Sequence, residues 1–150
     1  MVLGGISVLE VYDCDVTDLK PERWFVAPYF LVHDVVAAAN YYRDVLGFSF
    51  ERFWGEPPSF CMVERGGVVI MLSQVEKDIA LRPNNLASRE GGAWDAYVWV
   101  RDATALHDEF VAKGATIARA LCDQEYGCRD FDVLDCNGYR LCFGQNLTTA

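Results

Sequence analysis

The sequence predicts an α+β fold built from two similar halves, and a repeated pattern is the main observation behind this prediction. Val32-His-Asp34 precedes a helical run that ends at Leu46-Gly47, and Val100-Arg-Asp102 precedes a second run that ends at Lys113-Gly114. The spacing is 68 residues from Asp34 to Asp102 and 67 from Gly47 to Gly114. Self-similarity at a nearly fixed offset indicates a duplicated structural unit.

A hairpin at the end of the second half is the other observation. Apolar and polar residues alternate in two runs, 129–134 and 139–143, which is the period of strands with one buried face. Asn137-Gly138 lies between the runs and is a strong signal for a tight turn, because both residues tolerate positive φ. The alternation leaves Asp132, Arg140 and Cys142 on the unburied face. A face with an acid, a base and a thiol is either solvent-exposed or the lining of a site.

The first half reads as a strand, a helix and three strands. A strand is predicted for 25–32, and Asp34 then caps a helix in which apolar residues recur at helical spacing. Gly47 stands where a left-handed residue ends a helix. Strands at 48–53, 59–64 and 68–72 follow, separated by Gly- and Pro-rich turns. The order is therefore strand, helix and three short strands.

The second half repeats this order after a long polar connector at 73–93, which exceeds the usual loop length. It has a strand at 95–100, a helix at 103–113 capped by Asp102, a strand at 116–121 and the hairpin. The predicted organisation is an N-terminal extension (1–24), a first module (25–73), a linker (74–93), a second module (94–145) and a tail (146–150). Within the extension, Ile6–Tyr12 is compatible with a further strand.

Charge and hydropathy exclude several classes of function. A net charge of −9 argues against nucleic-acid binding, which requires a basic surface. No run approaches the ~20 apolar residues needed to span a bilayer. The first residues lack the basic and apolar regions of a signal peptide, so a cytoplasmic location is expected, without membrane association.

The six cysteines and two histidines show no metal-binding spacing. There is no Cys-x-x-Cys motif, and free thiols are expected in a cytoplasmic chain. His33 lies beside a helix cap and His107 on the predicted surface of a helix, positions typical of solvated imidazoles. Neither histidine is therefore interpreted as a metal ligand.

Residues 126–144 also resemble a known family. Tyr126-Gly127, Arg129-Asp130-Phe131, Asp135-x-Asn137-Gly138 and Phe143-Gly144 are similar to the closing hairpin of the glyoxalase/bleomycin-resistance/extradiol-dioxygenase superfamily, also called vicinal oxygen chelate proteins. By matched motifs the resemblance covers residues 27–145. It implies two tandem βαβββ modules, each a curved mixed sheet with a helix on its convex side, which together form a cleft.

In this superfamily the first and last strand of each module contribute one metal ligand each, typically His, Gln or Glu. The resemblance places these four positions at Ala27, Met71, Asp95 and Cys142. Alanine has no donor atom, and a thioether is a poor ligand for hard divalent ions. We therefore expect no metal and no other cofactor, and the usual enzymatic activity of the family is not favoured.

Strand alternation identifies the residues that share a face with these positions, and they suit a flat organic molecule. The predicted ligand-binding residues are Tyr29, Leu31, Met71, Asp95, Tyr97, Trp99, Asp132, Arg140 and Cys142. A core filled by the same aromatics is the structural alternative.

The leading interpretation is a metal-free protein that sequesters an aromatic small molecule, as the resemblance to bleomycin-resistance proteins implies, and that acts in antibiotic resistance. A cationic ligand would suit the acidic chain, with Asp95 as its charge partner. The alternatives are a metal-dependent lyase, isomerase or dioxygenase with displaced ligands, and an association domain without chemistry of its own. A homodimer is expected, because the family closes its cavities by pairing modules.

Overall fold

The computed structural model describes residues 24–87 and 93–148 and contains the two predicted modules. The first module comprises β1 (Tyr29–Val32), α1 (Val35–Asp44), β2 (Phe53–Trp54), β3 (Phe60–Arg65) and β4 (Val68–Gln74). A short helix, α2 (Asn84–Ala87), lies in the connector. The second module comprises β5 (Ala96–Trp99), α3 (Ala103–Ala112), β6 (Thr116–Asp123), β7 (Cys128–Leu134) and β8 (Arg140–Asn146).

Each module contains one mixed sheet of four strands, and the two sheets have the same topology. Their strand orders are β1-β4-β3-β2 and β5-β8-β7-β6, with the first pair parallel and the others antiparallel. Tyr29 is the register partner of Met71 in one sheet, as Tyr97 is of Cys142 in the other. The predicted α+β fold of two tandem βαβββ modules is confirmed.

Both helices begin in the same way. Asp34 and Asp102 each accept a hydrogen bond at 2.9 Å from the N–H three residues further on, as an N-cap does. The side-chain oxygens of Gln74 and Gln145, at the ends of β4 and β8, accept the first N–H of α1 and α3 at 2.9 and 3.1 Å. Four orphan donors at the two helix starts are thus satisfied by equivalent residues.

The face of each sheet beneath its helix forms the core, and the cores of the two modules are continuous. In the second module the rings of Phe110, Phe131 and Phe143 lie 5.1 to 5.9 Å apart and are almost fully buried. The fully buried residues of the first module include Val32, Tyr42, Ile70 and Leu72. Val32, Ile70 and Leu72 alternate along their strands with the residues of the opposite face, as the two-residue period of a strand requires.

Contacts between the modules lie on this helix side. Phe30 stacks on Tyr139 with 4.1 Å between ring centroids, and the Tyr42 hydroxyl donates to Asp135 at 2.8 Å. Arg65, the last residue of β3, forms a bidentate ion pair with Glu109 of α3 at 3.0 and 2.8 Å. The opposite face of each sheet, here called its open face, carries no helix of its own module.

Two predicted strands are shorter than expected. Residues 25–28 do not pair as a strand, and Pro28 contributes only its carbonyl, which accepts the Met71 N–H at 2.9 Å. Within the run 48–53 only Phe53 belongs to a strand, β2, and Ser49 forms an isolated bridge with Glu64. The predicted strand Ile6–Tyr12 lies outside the described residues.

Among the described residues, none of the helices has the length and apolar character needed to cross a bilayer.

Candidate ligand-binding site

The open face of the second sheet is shaped by irregular pairing between β6 and β7. Two register shifts place Arg119 opposite Asp132 and Cys122 opposite Asp130. Bulges of this kind re-aim side chains and are common beside functional sites. As a result, Arg119 joins the acids of β7 on the open face.

The acids and guanidinium groups on this face form one network. Arg119 donates from Nε and Nη2 to the two oxygens of Asp132, at 3.1 and 2.7 Å, and from Nη1 to Asp130 at 2.8 Å. Arg140 donates from Nε to Oδ2 of Asp132 at 2.7 Å. Two carboxylates and two guanidinium groups therefore balance in formal charge.

Aromatic donors complete the network. The hydroxyls of Tyr97 and Tyr126 both donate to Oδ2 of Asp130, at 3.2 and 2.6 Å. The indole Nε1 of Trp94 donates to Oδ2 of Asp132 at 3.2 Å. Both carboxylates are completely buried and fully hydrogen-bonded, as buried charges must be.

The network fixes the protonation states of its members. Burial by itself would raise the pKa of Asp132, but hydrogen bonds from Arg119 and Arg140 outweigh it and lower this pKa. The pKa of Asp130 is lowered in the same way, against burial, by Tyr126 and Arg119. Burial and the neighbouring Asp130 raise the pKa of the Tyr126 hydroxyl. At neutral pH the acids are ionised and the phenol is protonated.

Three aromatic rings form a row along β5. Ring centroids are 5.1 Å apart between Trp94 and Tyr97 and 4.8 Å between Tyr97 and Trp99. Gly144, the register partner of Trp99 on β8, allows Tyr97 to lie across the sheet, since a Cβ at position 144 would overlap the Tyr97 hydroxyl. Trp99, at the end of the row, is 62 % exposed and offers an open ring for stacking.

The open face of the first sheet is mainly apolar. Tyr29 packs near Phe60 with 6.2 Å between ring centroids, and Met71 is paired with Met62 across the two inner strands. Leu31 provides its backbone carbonyl to the Tyr139 hydroxyl at 2.7 Å. Among the described residues, no side-chain hydrogen bond or ring contact joins this face to the open face of the second sheet.

The donor set at the four family positions does not fit a divalent metal. Asp95 uses one carboxylate oxygen for the N–H of Asn84 at 2.7 Å and the other for the N–H of Arg140 at 2.8 Å. Burial raises the pKa of the Cys142 thiol, which disfavours the thiolate that a metal requires. Ala27 and Met71 offer no hard donor. Among the described residues, no three His, Cys, Asp or Glu side chains are grouped as metal ligands.

A separate groove of about 730 Å³ lies between the modules, beside α3 and the turn after β3. Its walls are mainly apolar, with Phe48, Val68, Leu106 and Phe110, and it meets the open face only at Trp99. The groove was not anticipated from the sequence, because it depends on how the modules pack.

The structure brings together the predicted residues of the second module: Tyr97, Trp99, Asp132, Arg140 and Cys142 lie on one open face. It leaves Tyr29, Leu31 and Met71 on the other sheet.

Sequence reasoning missed Arg119, Trp94, Tyr126 and Asp130 as site residues. Alternation along β7 places Asp130 on the same face as Asp132, so Asp130 could have been predicted from the sequence. Arg119 could not have been predicted, because its orientation depends on two bulges that regular alternation does not anticipate.

Comparison with known proteins identifies the class to which this fold and site belong. The sequence model described as the Glyoxalase/Bleomycin resistance protein/Dioxygenase superfamily matches residues 25–143. The chain therefore belongs to this superfamily, and the resemblance noted in the sequence is confirmed. A search of curated proteins by sequence finds no match.

Solved structures share the fold at low sequence identity. TioX from Micromonospora sp. ML1 is 21% identical with a TM-score of 0.62, over 79% of this chain and 95% of that one. Lactoylglutathione lyase from Agrobacterium tumefaciens is 18% identical with a TM-score of 0.61, over 84% and 96%. A bleomycin-binding protein from bleomycin-producing Streptomyces verticillus, complexed with copper(II)-bleomycin, is 22% identical with a TM-score of 0.56, over 85% and 99%.

Proposed function

We propose that this protein binds an aromatic small molecule without a metal ion, on the open face of its second module. The observation that carries this proposal is the row of Trp94, Tyr97 and Trp99 above a network that is already fully hydrogen-bonded. The rings are inclined to one another by 67° and 54°, so a flat ligand stacks on the exposed ring of Trp99. Fixed polar groups beside this ring limit the entropy lost on binding. The solved relatives whose names include bleomycin binding support this class of function.

Sequestration explains the arrangement better than catalysis does. The ionised acids Asp130 and Asp132 each bind a guanidinium group, and neither has an exposed oxygen with which to accept a proton from a ligand. The Cys142 thiol has a raised pKa and lies under Arg119 at 3.6 Å, so it is a poor nucleophile. The face therefore offers stacking and hydrogen bonds rather than an activated group.

Ligand titration monitored by tryptophan emission tests this function, with 2-naphthamide as a neutral flat probe. We expect saturable quenching, and we expect Trp99→Ala to weaken binding by about 5- to 100-fold, as truncation of an aromatic anchor does. Val111→Ala, at an exposed position on α3, is the control and should leave affinity unchanged. Equal affinity in wild type and Trp99→Ala would place binding elsewhere.

The metal-dependent alternative is tested by elemental analysis after purification without chelator. We expect substoichiometric zinc, nickel, manganese and iron, because the family positions lack a hard donor set. One equivalent of metal per chain that disappears in Asp95→Asn or Cys142→Ser would favour a lyase, isomerase or dioxygenase.

We also propose a homodimer. Trp24, Phe25 and Val26 form a consecutive apolar segment that is largely exposed just before β1, and exposed apolar patches of this kind mark association surfaces. Sedimentation equilibrium should give twice the chain mass, and Trp24→Ser should shift the equilibrium toward monomer. A monomer mass that does not change with concentration would refute the dimer and leave the ligand proposal untouched.

The role in antibiotic resistance and the cytoplasmic location stay predictions from the sequence. The sequence also predicted a cationic ligand with the Asp95 carboxylate as its charge partner. We do not carry that prediction into the proposal, because both oxygens of this carboxylate accept hydrogen bonds from backbone N–H groups.

A further inference from the structure

We propose that the ligand carries an acidic group beside its aromatic ring and that Arg140 binds this group. The inference rests on the proposed function and assigns the chemical class of its ligand: flat aromatic carboxylates, or similar anions. Its basis is the difference in exposure and hydrogen bonding between the charged groups on the open face of the second module.

Exposure decides which sign of charge a ligand meets. The side chains of Asp130 and Asp132 have no accessible surface, whereas those of Arg119 and Arg140 are 28% and 16% exposed. The four formal charges sum to zero, but the negative groups lie beneath the positive ones. A ligand on this face therefore contacts guanidinium groups and cannot reach a carboxylate of the network.

Hydrogen bonding distinguishes the two arginines. All three guanidinium nitrogens of Arg119 donate to Asp130 or Asp132. Arg140 directs Nε and Nη2 to the same oxygen of Asp132, both at 2.7 Å. Within residues 24–87 and 93–148, its Nη1 has no hydrogen-bond partner. Arg140 is thus the residue with donors to spare, while Arg119 holds the network together.

Arg140 lies at one end of the aromatic row. Arg140 Nε and Trp94 Nε1 donate to the same oxygen of Asp132, so the guanidinium group lies beside the first ring of the row. Because Tyr97 and Trp99 are inclined by 54°, a ligand ring stacks on Trp99 and contacts Tyr97 with its edge, and its carboxylate can be directed toward this end. A charge-assisted hydrogen bond in a partly buried site is stronger than a neutral one.

A preference for an anion can arise only from direct contacts at the site. The chain carries a net charge of −9, which opposes the approach of an anion over long distances. Any tighter binding of an anionic probe than of a neutral one of the same shape therefore reports a specific contact.

The test compares three naphthalene probes of similar shape: 2-naphthoate, 2-naphthamide and 2-naphthylmethylammonium. We expect 2-naphthoate to bind about 10-fold more tightly than 2-naphthamide, in keeping with a hydrogen bond between charged groups, and the ammonium to bind most weakly. Arg140→Met should remove the preference for 2-naphthoate, so that the ratio of the 2-naphthamide to the 2-naphthoate dissociation constant falls from about 10 to about 1. Arg129→Met is the matched control, because Arg129 pairs with Asp123 at the exposed end of β7.

The relative affinities of the three probes either support or contradict an anionic ligand. Equal binding of the three probes, preference for the ammonium, or a 2-naphthoate preference that survives Arg140→Met would overturn this inference and leave the aromatic site intact. If none of the probes binds the folded wild-type protein, the proposed function fails as well. Should Arg140→Met not fold, the ranking of the probes on wild type and on Arg140→Lys decides the question, since lysine keeps the charge and loses the forked donors.

Discussion

The two sheets have the same strand register, but their open faces differ in chemistry. The open face of the first sheet is mainly apolar, and that of the second carries charged groups. Met62 faces Met71 in the first sheet, where Asp132 faces Cys142 in the second. Tyr29 is exposed, whereas its counterpart Tyr97 lies down on the sheet and donates to Asp130. Ser73 in the first sheet corresponds to the glycine that makes room for this ring.

On the helix side the two modules agree. Both helices have an aspartate cap and a glutamine at the end of the last strand that binds their first N–H. The helix-facing side therefore specifies the fold in both modules, while the open faces are free to differ. Function is therefore expected where the two faces differ most, in the charged and aromatic face of the second module.

Removal of the central carboxylate should have the largest effect. Asp132→Asn leaves Arg119 and Arg140 without their shared counter-charge and should lower the free energy of unfolding by about 3 kcal/mol, as the loss of one partner in a buried ion pair does. Met62→Leu, at the equivalent position of the apolar face, should cost less than about 1.5 kcal/mol. Urea unfolding measures both, and equal losses would contradict the contrast between the faces.

Exchange of one residue between the modules should have the next largest effect. Gly144→Ser introduces the residue type that the first sheet has at the equivalent position, Ser73. The substitution displaces the Tyr97 ring, because a Cβ at position 144 overlaps the Tyr97 hydroxyl. We expect a loss of about 1–3 kcal/mol in stability from overpacking. Binding of 2-naphthamide should weaken as well. An unchanged environment of Tyr97 in the aromatic NMR spectrum would show that the ring is not held in this way.

Acid should destabilise the second face selectively. The pKa values of Asp130 and Asp132 are lowered in the folded state, so their stabilising contribution is complete above the ordinary carboxyl range and is lost as pH falls through their folded pKa values. Stability measured from pH 6 down to pH 2 should therefore decline. Asp132→Asn should reduce the slope, and an identical slope in this variant would contradict the linkage.

The junction between modules should give the smallest effect. Hydrogen bonds from Arg65, together with Lys113, lower the pKa of Glu109 to about 2, yet the pair is partly exposed and screened by solvent. Glu109→Gln should cost about 1 kcal/mol or less, and only above the folded pKa, where the carboxylate is ionised. A larger loss in thermal unfolding would mean that the junction, rather than the two cores, holds the modules together.

The sequence was sufficient for the fold because its signals are local. Asp34 and Asp102 as caps, Gly47 and Gly114 as helix ends, and the alternation in the final hairpin each depend on neighbouring residues, and the family model matches the region they define.

The candidate site was predictable only where the strands are regular. Tyr97, Trp99, Asp132 and Arg140 follow from alternation, but Arg119 reaches the face through bulges, and the partners of Asp95 come from the connector and the start of β8. The separation of Tyr29 from Tyr97 depends on how the modules pack, which no local pattern encodes.

An amide NMR titration with 2-naphthamide locates the binding site on one of the two sheets. We expect the largest shift changes on β5 and on the facing parts of β7 and β8, around Tyr97, Trp99 and Asp132, and we expect Trp99→Ala to need about 5- to 100-fold more probe to produce them. Changes confined to Tyr29 and Met71 on the first sheet, or to the groove beside α3, would contradict the assignment of the binding site to the second module.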